Sequence, residues 1–123
     1  MRERVTGLGG VFFRAKDPDA LSAWYRVHLG IPALEDGYLA LPDSREILWT
    51  PFPDDTTYWP ADKQVMVNFP VRDLDAMLAQ LRADGVEVDD RVEDIEVGRF
   101  GWAVDPEGNR FELWEPPPGA RAQ

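Results

Sequence analysis

Strands of alternating apolar and polar residues, each followed by an aspartate and a helix, occur twice in this chain, 56 residues apart. Val11 and Phe13 of the first copy match Val67 and Phe69 of the second, and the aspartates that follow match at the same offset. An internal repeat of this kind indicates two copies of one structural unit. The pattern therefore predicts two modules with the same order of elements.

Each copy carries the signals that begin and end a helix. Asp17 suits the N-cap and Gly30 suits the left-handed position after the last turn, so a first helix is predicted from Pro18 to Leu29. An aspartate and a glycine bound the second helix in the same way, from Leu74 to Asp84. Its apolar residues recur at three- and four-residue spacing and predict a stripe that faces the core: Leu74, Met77, Leu78 and Leu81.

Shorter strands are predicted after each helix. They cover residues 33–35, 38–41 and 46–52 in the first half and residues 89–95, 100–104 and 110–115 in the second. Module one then spans about residues 7–52 and module two about residues 63–116, with a linker at 53–62 and a polar tail at 117–123. We expect one α/β (α+β) domain of residues 1–123, built from two tandem βαβββ modules.

Side chains alternate across a strand, so the apolar set that faces the helices defines an opposite set by parity. Residues of that opposite set are expected to line a concavity shared by the two sheets, where a ligand would bind. The set consists of Gly10, Phe12, Arg14, Ile47, Trp49, Met66, Asn68, Glu112 and Trp114. The candidate ligand-binding residues among them are Phe12, Arg14, Trp49, Met66, Asn68 and Trp114.

Composition narrows the function classes. A net charge of −10 with a pI near 4.4 argues against a nucleic-acid partner, because there is no basic stripe to neutralise phosphates. No apolar run approaches the length of a membrane span, and no signal region follows the first residues, so we expect a cytoplasmic protein without a membrane partner. The absence of cysteine excludes disulfides and thiolate chemistry.

One carboxylate lies between large apolar residues on the last predicted strand. Glu112 is flanked by Phe111, Leu113 and Trp114, directly after the turn 105–109. Burying an ionised carboxyl costs several kcal/mol, roughly, unless donors or a cation meet it. Three roles remain open: a structural acid bonded to Asn68, Arg14 or backbone amides, a group that orients a ligand, and a general base whose pKa is raised by its apolar surroundings.

Three segments give the chain a family resemblance: 9–17, 24–31 and 105–113. With the repeat, they make residues of about 7–116 resemble the vicinal oxygen chelate superfamily, which includes glyoxalase I, bleomycin resistance proteins and extradiol dioxygenases. The resemblance implies a curved mixed sheet around a cavity, the glyoxalase/bleomycin resistance/dihydroxybiphenyl dioxygenase-like fold. It also implies a homodimer, because dimers are common among similar proteins.

The resemblance further implies four metal-ligand positions, of which this chain keeps one. The first-strand positions correspond to Gly10 and Met66, and the last-strand positions to Ile47 and Glu112. Only Glu112 has a side chain suited to the divalent ions used by such enzymes. The single histidine, His28, is expected at the end of the first helix, where the helix dipole favours it. We therefore predict no bound metal and no cofactor.

The chain is rich in tryptophan, and the expected roles of these residues differ with their positions. Trp49 and Trp114, both assigned to the concave face, are expected to sandwich an aromatic or cationic ligand. Tyr58 and Trp59 fall in the linker, where an exposed pair would form a lid or a subunit contact. Trp24 and Tyr25 are expected to pack the first helix onto its sheet.

Three functional hypotheses follow. The favoured one is stoichiometric binding of an aromatic or cationic small molecule, similar to the bleomycin resistance proteins. The second is a metal-independent lyase, isomerase or epimerase that uses Glu112 as general base, and the third is a non-catalytic scaffold or regulatory module.

Overall fold

A computed structural model describes residues 2–29, 31–41 and 47–118. The chain divides into two compact units, one of Gly9–Met66 and one of Val67–Gln123 together with Met1–Leu8. The boundary lies inside β4 (Val65–Pro70), slightly later than the predicted end of the linker, and the N-terminal segment belongs with module two. The assignment of residues 1–123 to a single domain stays a prediction.

The first unit contains β1 (Gly10–Ala15), α1 (Pro18–Leu29), β2 (Ala40–Leu41) and β3 (Ile47–Pro53). Its strands lie in the order β2-β3-β1, with β1 parallel to β3 and β2 antiparallel to it. The strand predicted at 33–35 is reduced to one bridge between Ala33 and Leu39. The predicted strand start at residue 46 and the glycine at position 30 lie outside the described residues.

In the second unit, β4 is followed by α2 (Leu74–Ala83), β5 (Glu87–Val88), β6 (Glu93–Ile95), β7 (Gly98–Val104) and β8 (Arg110–Glu115). The strand order is β4-β8-β7-β5, and β6 pairs with β7 as a hairpin. In the described part of this unit, β4 and β8 pair in parallel and the other strand pairs are antiparallel. The strand predicted at 89–95 is two separate short strands. Within the described residues, eight strands and two helices make the mixed α+β fold that was predicted.

Both helices begin as predicted. Asp17 Oδ1 accepts a hydrogen bond from the Ala20 amide at 3.0 Å, and Asp73 Oδ1 accepts one from the Ala76 amide at 3.0 Å, so each aspartate satisfies an amide of the first turn. Glu115 Oε1 also accepts from the Leu74 amide at 2.8 Å. The predicted stripe of α2 is core: Leu74, Met77 and Leu78 are buried with Val71 and Leu113, and Leu81 packs against this cluster.

The register of β3 corrects two predictions. Trp49 pairs with Val11 in the parallel ladder, and its ring lies 5.1 Å from that of Phe13 and 6.0 Å from that of Tyr25. Trp49 therefore lies on the helix-facing side of its sheet, and the prediction that it shares a face with Phe12 is wrong. The prediction aligned the last strands of the two modules by their shared Leu-Trp-x-Pro segment. Strand pairing aligns the same strands differently, by a shift of three residues.

The same register changes the counterpart of Glu112 in module one. Glu112 pairs with Asn68, and the position that corresponds to Asn68 in the first module, Phe12, pairs with Thr50. Thr50, not Ile47, therefore occupies the equivalent position. Thr50 is buried, and its hydroxyl lies 3.4 Å from the Leu39 carbonyl oxygen.

No helix in the described parts of the chain is long and apolar enough to cross a membrane. The predictions of a cytoplasmic location, a homodimer and a concavity shared by the two modules stay predictions.

Candidate functional site

Three buried side chains lie side by side across the sheet of the second unit. The ladder pairs Asn68 of β4 with Glu112 of β8, and Glu112 with Trp102 of β7. We call these three residues the polar row. Because Phe111 and Leu113 pack on the α2 side, alternation places Glu112 on the opposite face of the sheet.

Each oxygen of the Glu112 carboxylate accepts a hydrogen bond within the polar row. Oε1 accepts from Asn68 Nδ2 at 2.7 Å, and Oε2 accepts from Trp102 Nε1 at 3.1 Å. Glu112 is only 2% exposed. Of the partners named for a structural acid, Asn68 is the one that contacts the carboxylate. The two N–H donors, from Asn68 and Trp102, explain how a carboxylate is accommodated between apolar residues.

The row has one unmet hydrogen-bonding group. Asn68 is 4% exposed, and its Oδ1 accepts no hydrogen bond from the described residues. The contact from Nδ2 to Glu112 fixes the orientation of the amide, so Oδ1 faces away from the carboxylate. A buried acceptor of this kind is uncommon in folded proteins and calls for a functional or structural explanation.

Two arginines lie over the ring of Trp102. The guanidinium carbons of Arg91 and Arg110 lie 4.6 and 5.3 Å from the centre of its ring. Arg110 Nη2 donates to Asp89 Oδ2 at 3.0 Å, and the Arg91 amide donates to Asp89 Oδ1 at 2.9 Å. This cluster keeps the indole N–H directed at Glu112.

Asp89 is the acidic residue that both arginines of this cluster contact. The hydrogen bond from the Arg91 amide, followed by that from the Arg110 guanidinium, holds the pKa of Asp89 below its usual range, because both favour the ionised carboxylate. The carboxylate therefore keeps its partners through mildly acidic conditions.

A second set of side chains lies next along the same strands. Pro70 pairs with Trp114 and Trp114 with Phe100, and we call these three residues the aromatic row. The rings of Phe100 and Trp114 stack at 6.4 Å with 18° between their planes, and both side chains are half-buried. The aromatic row thus borders the buried polar row with accessible ring surface.

Gly98 makes room for Trp114. The indole Nε1 donates to the Val97 carbonyl at 2.8 Å, and a Cβ on Gly98 would lie 2.4 Å from the same nitrogen. Gly98 also has φ of +133°, which a residue with a side chain rarely adopts. A glycine is therefore required for both the backbone and the ring.

The turn that precedes Glu112 is structural, as expected. Asp105 Oδ1 accepts from the amides of Glu107 and Asn109, each at 2.9 Å, and Gly108 has φ of +84°. These contacts close the β7–β8 hairpin and so set the register that pairs Glu112 with Trp102.

Arg14 has a different role from the ligand-binding one that was predicted. Its five N–H groups donate to five backbone carbonyls of the segment that joins the modules, at 2.7 to 3.1 Å: Asp54, Thr56, Trp59, Pro60 and Lys63. A guanidinium has five donors, so none is left for a ligand. Arg14 organises the connecting segment, and we leave it out of the candidate site.

The aromatic pair of the linker is corrected by the same contacts. Trp59 is 2% exposed, its Nε1 donates to the Lys63 carbonyl at 2.9 Å, and its ring lies under the Arg14 guanidinium at 5.0 Å. A buried ring cannot serve as an exposed lid, so that prediction is wrong for Trp59. Tyr58 stacks on Phe52 at 5.9 Å.

Other predicted residues are distributed as follows. Phe12 is buried and packs on Phe52 at 5.1 Å, on the face predicted for it, and Met66 is fully buried. Trp24 is 49% exposed and borders an open depression of about 540 Å³ beside α1, so it does not pack on the sheet as predicted. Tyr25 does pack there, with its ring 6.0 Å from those of Phe13 and Trp49.

The residues at the family's metal-ligand positions do not fit a divalent ion. A Cβ on Gly10 would lie 2.8 Å from the Cβ of Leu48, so the strands approach too closely there for a side chain. Met66 and Thr50 supply a thioether and a hydroxyl, and Glu112 is engaged by two N–H groups. In the described residues, no group of three or more histidine, cysteine or acidic side chains could hold a metal.

A family model described as a glyoxalase-like domain matches residues 10–114. The chain belongs to the glyoxalase-like family. This match confirms the vicinal oxygen chelate superfamily resemblance of the sequence. No curated protein matches the chain significantly.

Solved structures with the same fold include epimerases and a glyoxalase. Methylmalonyl-CoA epimerase from Mycobacterium tuberculosis is 27% identical, with 97% of this chain and 93% of that chain covered and a TM-score of 0.72. A variant of the Streptomyces coelicolor methylmalonyl-CoA epimerase, in complex with 2-nitronate-propionyl-CoA, is 19% identical, with 92% and 99% covered and a TM-score of 0.73. The Mn(II)-bound glyoxalase from Novosphingobium aromaticivorans is 22% identical, with 92% of this chain and 40% of that chain covered and a TM-score of 0.62.

Sequence reasoning missed two members of the site. Trp102 and Phe100 alternate on β7, between and beside two glycines, and no face was predicted for them. The pairing with β8 places both residues beside residues already selected. The signal that would have found them is the tight β7–β8 turn, which fixes the hairpin register.

Proposed function

We propose that this glyoxalase-like domain binds a small organic molecule on the face of the second unit that carries the polar and aromatic rows. Glu112 and Asn68 orient the ligand, and Trp114 and Phe100 offer it a planar surface. The single observation that carries the proposal is that no described residue donates to the buried Asn68 Oδ1, which lies beside a buried carboxylate.

Binding without turnover is the form of this function that the site supports best. Both Glu112 oxygens already accept hydrogen bonds from neighbouring side chains, so the carboxylate is arranged to hold a position more than to accept a proton. The acidity of the chain favours a cationic ligand over an anionic one. Two structural neighbours are epimerases of acyl-CoA esters, which supports small-molecule binding in this fold.

The experiment compares wild-type protein with the variants Glu112→Gln and Glu87→Gln. Glu87 is an exposed acid of β5, so its variant removes the same charge away from the site. Native mass spectrometry of freshly purified protein reports retained ligand, metal and subunit count, and tryptophan fluorescence reports titrated ligands. We expect Glu112→Gln to weaken binding at least about tenfold, which corresponds to ~1.4 kcal/mol, and Glu87→Gln to leave it unchanged. Equal binding by all three proteins would refute the assignment.

A second candidate, metal-independent epimerisation with Glu112 as general base, is favoured by the 27% identity to methylmalonyl-CoA epimerase across nearly the whole chain. Exchange of the substrate α-hydrogen of methylmalonyl-CoA into D₂O, followed by NMR, tests it directly. Exchange that wild-type protein catalyses and Glu112→Gln does not would establish this reaction. An absence of exchange in wild-type protein that still binds ligand would leave binding alone.

A further inference from the structure

The orientation of the Asn68 amide determines which hydrogen-bonding group the site offers to a ligand. Nδ2 is committed to Glu112 Oε1 at 2.7 Å, and a carboxylate can only accept. The amide therefore cannot rotate to exchange its two ends without placing Oδ1 against the carboxylate. Oδ1 is therefore the end of the amide that can still accept a hydrogen bond from a ligand. It is buried and accepts no hydrogen bond from the described residues.

The remaining hydrogen-bonding groups of the polar row contact one another. Trp102 Nε1, the other donor of the row, is directed at Glu112 Oε2. Two guanidiniums, those of Arg91 and Arg110, lie over the Trp102 ring, and they pair with Glu93 and Asp89. The group of the row to which no described residue donates is the Asn68 amide oxygen, and it lies beside the Glu112 carboxylate. Acceptors and negative charge favour N–H and O–H donors and disfavour carboxylates and phosphates.

Accessible ring surface adjoins this acceptor. Trp114 follows Glu112 by two residues on β8, and Phe100 precedes Trp102 by two on β7, so the stacked rings lie one step along the same face. A planar ligand that stacks on the aromatic row can place a substituent towards Asn68.

We infer that Asn68 is the specificity-determining residue of this face, and that its ligand is a planar, non-anionic compound bearing a hydrogen-bond donor, with a protonated nitrogen preferred to a neutral hydroxyl. This inference rests on the proposed function and deepens it, because it names the ligand class. It separates the chain from the acyl-CoA chemistry of its structural neighbours, since a free carboxylate would meet acceptors of like polarity.

Four one-ring probes test the inference by NMR and tryptophan-fluorescence titration. Benzamidine and benzoate differ in charge, whereas benzyl alcohol and anisole are isomers that differ in having an O–H donor or only an acceptor. Wild-type protein is expected to bind benzamidine at least about tenfold more tightly than benzoate, and benzyl alcohol at least about threefold more tightly than anisole.

Two variants assign these preferences to residues. Asn68→Leu is expected to abolish the preference for benzyl alcohol over anisole and to keep that for benzamidine, which Glu112 still attracts. Trp114→Phe, the matched aromatic control, is expected to weaken all four probes by a similar factor without changing their order.

The outcomes separate the inference from the proposed function. The inference would be overturned if wild-type protein bound benzyl alcohol and anisole equally, or benzoate as tightly as benzamidine. Either result would leave ligand binding on this face intact. Failure of all four probes to bind would overturn the proposed function and the inference together. Because the isomer comparison uses wild-type protein, it decides the question even where Asn68→Leu does not fold.

Discussion

Replacing Arg14 tests whether one guanidinium organises the segment that joins the modules. In Arg14→Gln, the side chain loses its charge and cannot reproduce the planar, five-donor geometry that contacts five carbonyls. Arg14→Lys keeps the charge but has three donors on one nitrogen, so it can satisfy only part of the set.

The contacts set the size of the effect. Three of the five hydrogen bonds are partly buried, to the carbonyls of Lys63, Thr56 and Trp59, and each contributes about 1 kcal/mol net. The cation–π contact with Trp59 adds about 0.5–1 kcal/mol. Water replaces the two exposed bonds at little cost, so Arg14→Gln is expected to lower the free energy of unfolding by about 3–4 kcal/mol and Arg14→Lys by about 2 kcal/mol.

Thermal unfolding followed by circular dichroism measures this loss. With an unfolding entropy of roughly 2.1 cal/mol/K per residue, a chain of 123 residues shifts its Tm by about 4 °C per kcal/mol. Arg14→Gln is then expected to lower Tm by about 12–16 °C and Arg14→Lys by about 8 °C. Arg26→Gln, which removes an exposed arginine near the end of α1, is the control and is expected to stay within about 2 °C of wild type.

Two results would refute the reasoning. A Tm of Arg14→Gln equal to that of the Arg26 control would show that the five carbonyls do not depend on the guanidinium. An unchanged Tm in Arg14→Lys together with a large loss in Arg14→Gln would show that charge, not the planar set of donors, is what stabilises the segment.

Three further predictions concern the second unit. In urea unfolding, Gly98→Ala is expected to lower the free energy of unfolding by about 2–4 kcal/mol, because its Cβ would overlap the indole of the aromatic row. Gly37 also has positive φ but open space around it, so the control Gly37→Ala should lose about 1 kcal/mol. Equal losses would contradict the steric explanation. Asp89→Asn is expected to lower Tm by about 2–4 °C at pH 7. The folded-state pKa of Asp89 lies below its unfolded value of about 3.9. The stabilisation is therefore present above the unfolded pKa and is lost as pH falls through the folded pKa. The difference between wild type and Asp89→Asn should therefore vanish in strong acid, and a difference that persists there would exclude this linkage. Asn68→Leu is expected to lower the free energy of unfolding by about 2–4 kcal/mol, because it leaves Glu112 Oε1 buried without its donor. The double variant with Glu112→Met should lose at least about 1 kcal/mol less than the sum of the two single losses. Strict additivity would show that the pair does not interact.

Much of this protein was determined by the sequence alone, because the signals involved are local. Capping signals predicted both helices, and apolar periodicity predicted the buried face of the second. Asp17 and Asp73 cap them as expected, since a capping side chain contacts amides of its own first turn. The repeat predicted the order of elements, and the flanking residues of Glu112 indicated a buried carboxylate that would need hydrogen-bond donors. Asn68 was named as one of them.

Only the tertiary structure decided which residues share a face and what each polar group contacts. Trp49 changed sides because strand pairing sets the register of β3, and in a two-residue repeat an error of an odd number of residues moves every side chain to the other face. Arg14 proved to contact backbone carbonyls, which every residue carries and no side-chain pattern reveals. Trp102 joined Glu112 through the hairpin register of β7 and β8. These features depend on pairings between distant parts of the chain, so local pattern could select the carboxylate but could not supply the row in which it lies.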